Sequence, residues 1–392
     1  MEEVVVVAGA RTAIGTFGGS LKDVPSVTLG VIVVKEAIRR AGIDPAELDD
    51  VLFGSCMMRS DEINPSRCIA LAAGIPHHVP AATIQRQCAS GIQSIVLGAM
   101  EIQTGAAKLV LCGGIESMSR VPYALKDYRW GGRMWDGTVT DQLTEGLTDP
   151  LLKIHMGITA ENIAKKLGIS REEQDVLAFT SHQRALKAID SGRFKQEIVP
   201  VEIPKKKGPP AVFEVDENPR RDTTLESLKA LKPAFDKNGT VTAGNSSSIN
   251  DGGAAVVLMA RSLAEQRGIP YLGRIIDHQV SGVDPALMGL GPVPAVRKLL
   301  ERRKMTLRDI DLVECNEAFA AQYLGCEKEL GFDRERTNVN GSGIALGHPV
   351  GATGTRLVLT LLTELKLRNL RRGLATLCVG GGMGKAILLE RS

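Results

Sequence analysis

The 392-residue sequence contains no Cys-x-x-Cys pair, no apolar run long enough to span a membrane, no large excess of either charge and no basic leader. Each absence excludes a class. Seven cysteines at 56, 68, 88, 112, 315, 326 and 378 are odd in number and scattered, which supports neither a zinc cage nor a dithiol redox motif and points to a reducing compartment. A membrane span needs about 20 consecutive apolar residues, so no membrane insertion is expected. With 48 basic against 45 acidic residues, nucleic acid is not expected as the main partner, and any anion site must be local. Met1 Glu2 Glu3 runs straight into Val4, unlike a secretory or transit leader, and the final Leu389 to Ser392 is no peroxisomal tripeptide; a cytoplasmic protein is expected.

What is present is an ordinary globular composition, 43% hydrophobic and 24% charged, on a chain long enough for two or three domains. Short apolar strands alternate with amphipathic helices: Val4 to Val7, a helix near Val27 to Arg40, a strand near Val51 to Phe53. That alternation predicts an α/β fold. Leu109 to Cys112 reads as a buried strand ending at Gly113 Gly114, and it is echoed by Ala375 to Cys378 followed by Val379 Gly380 Gly381. A fainter echo relates Leu29–Leu52 to Leu290–Val313, and both suggest duplication. Residues 120–249 change character, holding Trp130, Trp135 and Lys205 to Lys207, and read as an insertion with its own helices. Within it Ser170 to Glu173 fits a capping box, and Gly168 suits a helix end.

Three islands carry the chemistry. Gln87 Cys88 Ala89 Ser90 Gly91 precedes apolar residues at helical spacing, so Cys88 sits near a helix N-terminus, where the unpaired N–H groups favour thiolate. Gly347 His348 Pro349 lies in a glycine-rich stretch, 341–354, that reads as a loop. Cys378 is followed by Gly380 to Gly382, whose backbone can turn N–H donors toward an oxyanion. A fourth segment, Glu314 Cys315 Asn316 Glu317, follows a strand-like run; Asn316 either holds a water or caps the next helix. Cys112 reads as core, and Cys315 is expected to face away from the chemistry. Two cysteines and a histidine set among glycines describe acyl transfer on thioesters.

In order, content and spacing these segments resemble the thiolases, most closely the short-chain acetyl-CoA acetyltransferases, over essentially the whole chain. Gly9 to Gly15, Asn245 Ser246 Ser247, Asn250 Asp251 Gly252, Met288 to Pro294 and Asn316 to Phe319 extend the match. The resemblance implies a duplicated α/β core in five layers (αβαβα) with an inserted loop domain: 1–119 plus 250–269 as one half, 120–249 as the CoA-binding insertion, 270–392 as the other half. It implies Cys88 as nucleophile, His348 as its base, Cys378 as acid and base, Asn316 with a water and His348 as one oxyanion site, and the N–H groups of Cys88 and Gly380 as the other. For coenzyme A it implies Arg220 or Arg221, Ser227, Ala243 and Ser247, with His155, Met156, Met288, Ala318 and Phe319 near the acyl end. No metal or cofactor is implied beyond CoA and acyl-CoA as substrates, and a homotetramer or homodimer is expected, with Tyr123–Trp135 as a candidate contact. The reaction implied is reversible condensation of two acetyl-CoA to acetoacetyl-CoA and CoA. Alternatives are a degradative 3-ketoacyl-CoA thiolase of broader chain length, a ketoacyl synthase, which Cys378 argues against, and a non-catalytic acyl-CoA or lipid binder, which the full set of catalytic residues argues against.

Overall fold

A computed structural model describes residues 2–132, 134 and 136–392. Trp135, the last residue of the expected aromatic contact segment, lies outside the described residues. The first half of the main sheet comprises β1 (Val4–Arg11), β2 (Asp50–Gly54), β3 (Ala81–Ile84), β4 (Leu109–Ser117) and β5 (Asn250–Ala260), in the order β3-β2-β4-β5-β1. The second half comprises β6 (Gly273–Gly282), β7 (Leu312–Cys315), β8 (Arg372–Val379) and β9 (Met383–Arg391), in the order β7-β8-β9-β6. The run β2-β4-β5-β1 and the run β7-β8-β9-β6 share one pattern, a parallel pairing followed by two antiparallel ones, and β3 adds a further parallel strand at the edge of the first half. The halves are therefore topological copies, with β3 an addition to the first; the matching turns at Asp49 and Asp311 set Leu109 against Arg372, so Cys378 on β8 corresponds to Ile115 on β4, three residues from the Cys112 that the sequence echo had paired with it. They meet where β1 pairs antiparallel with β6 across Val4–Val6, which makes one sheet of ten strands, nine along a continuous path and Gly15–Thr16 pairing with β5 beside it.

The main helices are α1 (Ser26–Ala41), α2 (Ser90–Thr104), α3 (Met156–Leu167), α4 (Arg171–Asp190), α5 (Pro292–Arg302), α6 (Ala320–Leu330) and α7 (Val350–Leu367). The copies extend to them: α1 precedes β2 as α5 precedes β7, and α2 precedes β4 as α7 precedes β8. Helices α2 and α7 form the central layer. Ile92, Ile95 and Ile102 of one and Leu357, Leu361 and Leu365 of the other pack between Val110 and Val256 of the first half and Leu377 and Ile387 of the second. Helix α1 covers the outer face of the first half through Val33, Val34 and Ala37 against Val51, Phe53 and Leu111. Helices α5 and α6 cover the outer face of the second through Val296, Leu299 and Leu324 against Val313, Leu374 and Leu388. This is the αβαβα order. A strand buried on both faces needs apolar residues at every position, which is why β4 and β8 read as unbroken apolar runs, and each buried aliphatic side chain contributes about 1.5–3 kcal/mol.

Two expectations about glycine are corrected. Strand β4 continues through Gly113 and Gly114 to Ser117, because a Cβ on Gly114 would lie 2.1 Å from the Gly351 carbonyl of α7 and the helix could not approach. The stretch 341–354 is not all loop: α7 starts at Val350, directly after Pro349, and contains Gly351 and Gly354. Between β4 and β5, residues 120–249 add no strand to the main sheet; they hold α3, α4 and two small hairpins, Tyr123–Leu125 with Val139–Asp141 and Val201–Ile203 with Ala211–Phe213. Ser170 and Glu173 form the expected capping box on α4, and Gly168, with φ of 60°, closes α3.

Candidate active site

Cys88 lies in a tight turn between β3 and α2. The N–H groups of Ala89 and Ser90 donate to the carbonyls of Arg86 and Gln87, each at 3.0 Å. Gln87 is left-handed, with φ of 45°, a conformation that costs a non-glycine residue about 1 kcal/mol or more and is held only by its surroundings. The Ser90 hydroxyl supplies that restraint, donating to Gln87 O at 2.6 Å while accepting from Arg86 N–H at 2.9 Å. Helix α2 begins at Ser90, so Cys88 stands just ahead of its first turn. The N–H groups of Gly380 and of Cys88 itself are directed at the sulfur and favour the thiolate, yet burial outweighs them and pushes the thiol up to about 11. The helix-terminus expectation of a resting thiolate is thus corrected. Burial holds Cys88 as a thiol.

His348 follows the Gly347 turn that leads into α7. It is buried, with Nδ1 2.7 Å from Thr353 Oγ1, and Thr353 in turn donates its hydroxyl proton to Pro349 O at 2.9 Å. Since that proton is committed, Thr353 accepts from Nδ1–H, and the Nε2 lone pair is left without a partner among the described residues. Burial, with the Arg356 guanidinium nearby, lowers the imidazole to about 3 and keeps it neutral. The backbone is fixed as well: His348 N–H donates to Asn250 Oδ1 at 2.8 Å, and Asn250 Nδ2 donates to Gly15 O at 3.0 Å. Gly347 takes φ of 98° with its α-carbon against the Asn250 amide, and a side chain there would sit 2.5 Å from Nδ2.

Cys378 is the penultimate residue of β8, fully buried, where burial and the neighbouring sulfurs of Cys88 and Cys326 raise its thiol well above the ordinary range. Such a thiol is a weak acid whose conjugate is a strong base. The turn after it runs through Gly381 and Gly382 at φ of 79° and 82°, which leaves Gly380 N–H pointing back at Cys88. Asn316 follows β7, its N–H bonded to Thr376 O two residues before Cys378, and neither atom of its buried side-chain amide has a partner among the described residues. It caps no helix, because α6 starts at Ala320 with Phe319 as its cap. Cys315 shares the sheet face of Cys378, beside Cys326, rather than facing away as expected; the β7–β8 register pairs it with Thr376, two residues before Cys378. Cys112 is fully buried core.

The two central helices bring the nucleophile turn and the base turn together, one from each copy. Their contact is made by glycine: a Cβ on Gly91 would lie 2.7 Å from Thr355 N, and one on Gly354 would lie 2.5 Å from Ile92 N. Val350, two residues past His348, belongs with Met118 and Leu143 to the small buried cluster against which Cys88 packs.

Among the acyl-CoA candidates, the structure groups His155, Met156, Met288, Ala318, Phe319 and Ser247 on the second-half side. Met156 sulfur approaches Gly380, where a Cβ would be 3.7 Å away. Ser247 N–H donates to Ala318 O at 2.9 Å. Met288, Ala318 and Phe319 are buried in one cluster with Cys378, and Met156 packs against it. The others, Arg220, Arg221, Ser227 and Ala243, are exposed on the insertion. Arg221 is committed to Asp190 at 3.1 Å, whereas the Arg220 side chain makes no hydrogen bond or ion pair among the described residues, and its backbone N–H donates to His182 at 3.3 Å. The Ser227 hydroxyl is engaged with Thr224 in a capping box at the start of a short helix.

Several residues at the site escaped the sequence reading. Phe235 stacks on His155, centroids 4.9 Å apart at 17°, and meets Phe319 edge-on at 5.9 Å; nothing local marks it. Thr353 is disguised by its place inside a helix. Glu116 did leave a signal, since a carboxylate inside an apolar strand is seldom buried without a purpose. No group of three or more His, Cys, Asp or Glu among the described residues could hold a metal ion.

A duplicated five-layer α/β fold that sets a cysteine, a neutral histidine and a second cysteine around directed backbone N–H groups defines a cysteine-dependent acyl-transfer architecture. Comparison with known proteins gives the family. The profile "Thiolase, N-terminal domain" matches residues 4–262, and "Thiolase, C-terminal domain" matches residues 269–391. The chain belongs to the thiolase family. It is 48% identical over 392 residues to an acetyl-CoA acetyltransferase of Pseudomonas aeruginosa, covering 100% of both chains. The crystal structure of the Bacillus anthracis acetyl-CoA acetyltransferase is 52% identical and superposes with a TM-score of 0.99, covering 100% of this chain and 99% of that one. Human mitochondrial 3-ketoacyl-CoA thiolase in complex with CoA is 43% identical with a TM-score of 0.96, covering 100% and 98%.

Proposed function

We propose that this thiolase transfers an acetyl group reversibly between two acetyl-CoA molecules, giving acetoacetyl-CoA and free CoA through an acetyl-Cys88 intermediate. One observation carries the reading: a thiol held protonated by burial faces two directed N–H groups, and the helix that follows it packs on the helix that follows His348, whose buried neutral Nε2 has no partner among the described residues. His348 takes the Cys88 proton as sulfur attacks the thioester carbonyl, and Cys378 protonates the departing CoA sulfur. Cys378, now a thiolate, removes a methyl proton from the second acetyl-CoA. The enolate oxygen is held by protonated His348 and a water on Asn316; the carbanion attacks acetyl-Cys88, and Cys88 recovers its proton from His348. The N–H groups of Cys88 and Gly380 hold the oxyanion on the acyl carbon, a donor pair worth on the order of 3 kcal/mol per donor in the transition state. Every proton is returned, so the same site runs thiolysis in reverse.

Coenzyme A is assigned to the insertion. Arg220 is uncommitted where Arg221 is not, which supports Arg220 as the phosphate contact, with Ser227, Ala243 and Ser247 along the carrier and His155, Met156, Met288, Ala318 and Phe319 around the acyl end. A short-chain preference, a cytoplasmic location and a homotetramer or homodimer complete the proposal; no helix among the described residues is long and apolar enough to cross a membrane. Tyr123, Leu125 and Trp130 are exposed and suit a contact between copies. The test is the loss of acetoacetyl-CoA absorbance on adding CoA, run beside a long-chain 3-ketoacyl-CoA. Decay with the short substrate and little with the long one is expected. No decay with either overturns the proposal, and faster turnover of the long substrate favours the degradative reading.

A further inference from the structure

The buried carboxylate of Glu116 is not used in the chemistry above, yet it touches both halves of the site. It projects from β4 into the central layer and accepts three backbone N–H groups: Cys56 at 3.0 Å and Gly351 at 2.9 Å on Oε2, and Met57 at 3.0 Å on Oε1. Gly351 lies in the first turn of α7, whose N-cap is Pro349 and which has no side-chain cap of its own. Glu116 is thus a cap supplied by the other half of the molecule, three residues from His348. On the opposite side Cys56 donates its S–H to Gln87 Oε1 at 3.1 Å, and Gln87 is the strained residue immediately before Cys88.

We propose that Glu116 is a positioning residue: one carboxylate sets the spacing between the Cys88 turn and the His348 turn. The inference rests on reading these two residues as nucleophile and base. The ionisable groups facing Glu116 are Asp251 on β5, Cys56 in the loop after β2 and Cys88 before α2; no lysine or arginine pairs with it among the described residues, and burial raises it to about 7. Protonation would turn an O–H toward an N–H and release at least one of the three contacts. Glu116→Gln has the same shape but places an N–H₂ against one or two of the same donors.

The experiment measures kcat and KM for acetoacetyl-CoA thiolysis against pH, with the rate of Cys88 alkylation by iodoacetamide. The wild type is expected to show an acid limb near pH 7, and Glu116→Gln to lose it, with kcat down about tenfold and KM for CoA within twofold. Alkylation should hold steady or quicken, because a negative charge beside Cys88 has been removed. If Glu116→Gln does not fold, Glu116→Asp keeps the charge with shorter reach, and it should lower kcat while retaining the acid limb. A wild-type kcat and pH profile in the folded variant overturns the proposal, as does alkylation that falls in parallel with kcat. Cys88→Ala separates the two levels: if it keeps activity, the nucleophile assignment fails; if it is inactive while Glu116→Gln behaves as wild type, only the Glu116 inference fails.

Discussion

Gly354→Ala adds one methyl group to the contact between the two central helices and leaves every proposed catalytic residue unchanged. The new Cβ would lie 2.5 Å from Ile92 N, where ordinary contact begins at 3.4 Å, so the helices must part by about 0.9 Å. Both atoms are fixed to helices in the middle of five layers, and no rotamer can absorb the strain. The displacement falls between Cys88, four residues before Ile92, and His348, six residues before Gly354. A misplacement of about 1 Å costs roughly 100-fold in rate, while overpacking costs about 1–3 kcal/mol of stability, partly offset by about 1 kcal/mol from alanine's better helix propensity. The variant should therefore stay folded with kcat for acetoacetyl-CoA thiolysis down by one to two orders of magnitude. Leu361→Ala on the same helix is the control: buried two turns further on, it should lose about 2–5 kcal/mol yet keep kcat within twofold at 25 °C. Wild-type kcat in Gly354→Ala, or an equal loss of kcat in the folded Leu361→Ala protein, refutes the reasoning.

Lys385 is buried with Gln93 Oε1, at 3.2 Å, as its hydrogen-bond partner, and burial lowers its ammonium to about 8. Because the unfolded chain binds this proton more tightly, the penalty on the fold is complete below pH 8 and disappears as pH rises toward 10.5. Lys385→Met should then stabilise the protein by up to about 3 kcal/mol at pH 7, with the gain shrinking between pH 8 and 10.5 in thermal melts; a pH-independent gain would contradict this. For the CoA contact, Arg220→Ala should raise KM for CoA roughly tenfold through loss of a charge-assisted hydrogen bond. Arg221→Ala should change it less than twofold, and the reverse order would reassign the pair.

How much of this was legible in the sequence depends on whether the signal is local. Cys88, His348, Cys378 and Asn316 stand beside glycine or at the end of apolar runs; the duplicated sheet is expected from the Cys112 and Cys378 echo, but that echo is three residues out of register, since Cys378 corresponds to Ile115. Ser170 with Glu173, and Gly168, encode a helix boundary within a few residues, and the boundary falls there. What was misread concerns partners distant in sequence. Gly113, Gly114, Gly351 and Gly354 read as breakers, since only the packing of α7 on β4 and α2 shows why a small residue inside a strand or helix is needed. The Cys88 thiol was read from its helix terminus alone, whereas its protonation is set by burial that 392 residues create together. Phe235, Thr353 and Glu116 act through contacts across 5 to 235 positions of chain.

The most direct test of the account is the acyl-enzyme. Protein incubated with acetyl-CoA, quenched and digested should carry an acetyl group on the Cys88 peptide in the wild type and in Cys378→Ser, with much less in His348→Ala. All turnover to acetoacetyl-CoA should be lost in Cys378→Ser. Acetyl absent from Cys88, or found on Cys378 instead, would contradict it.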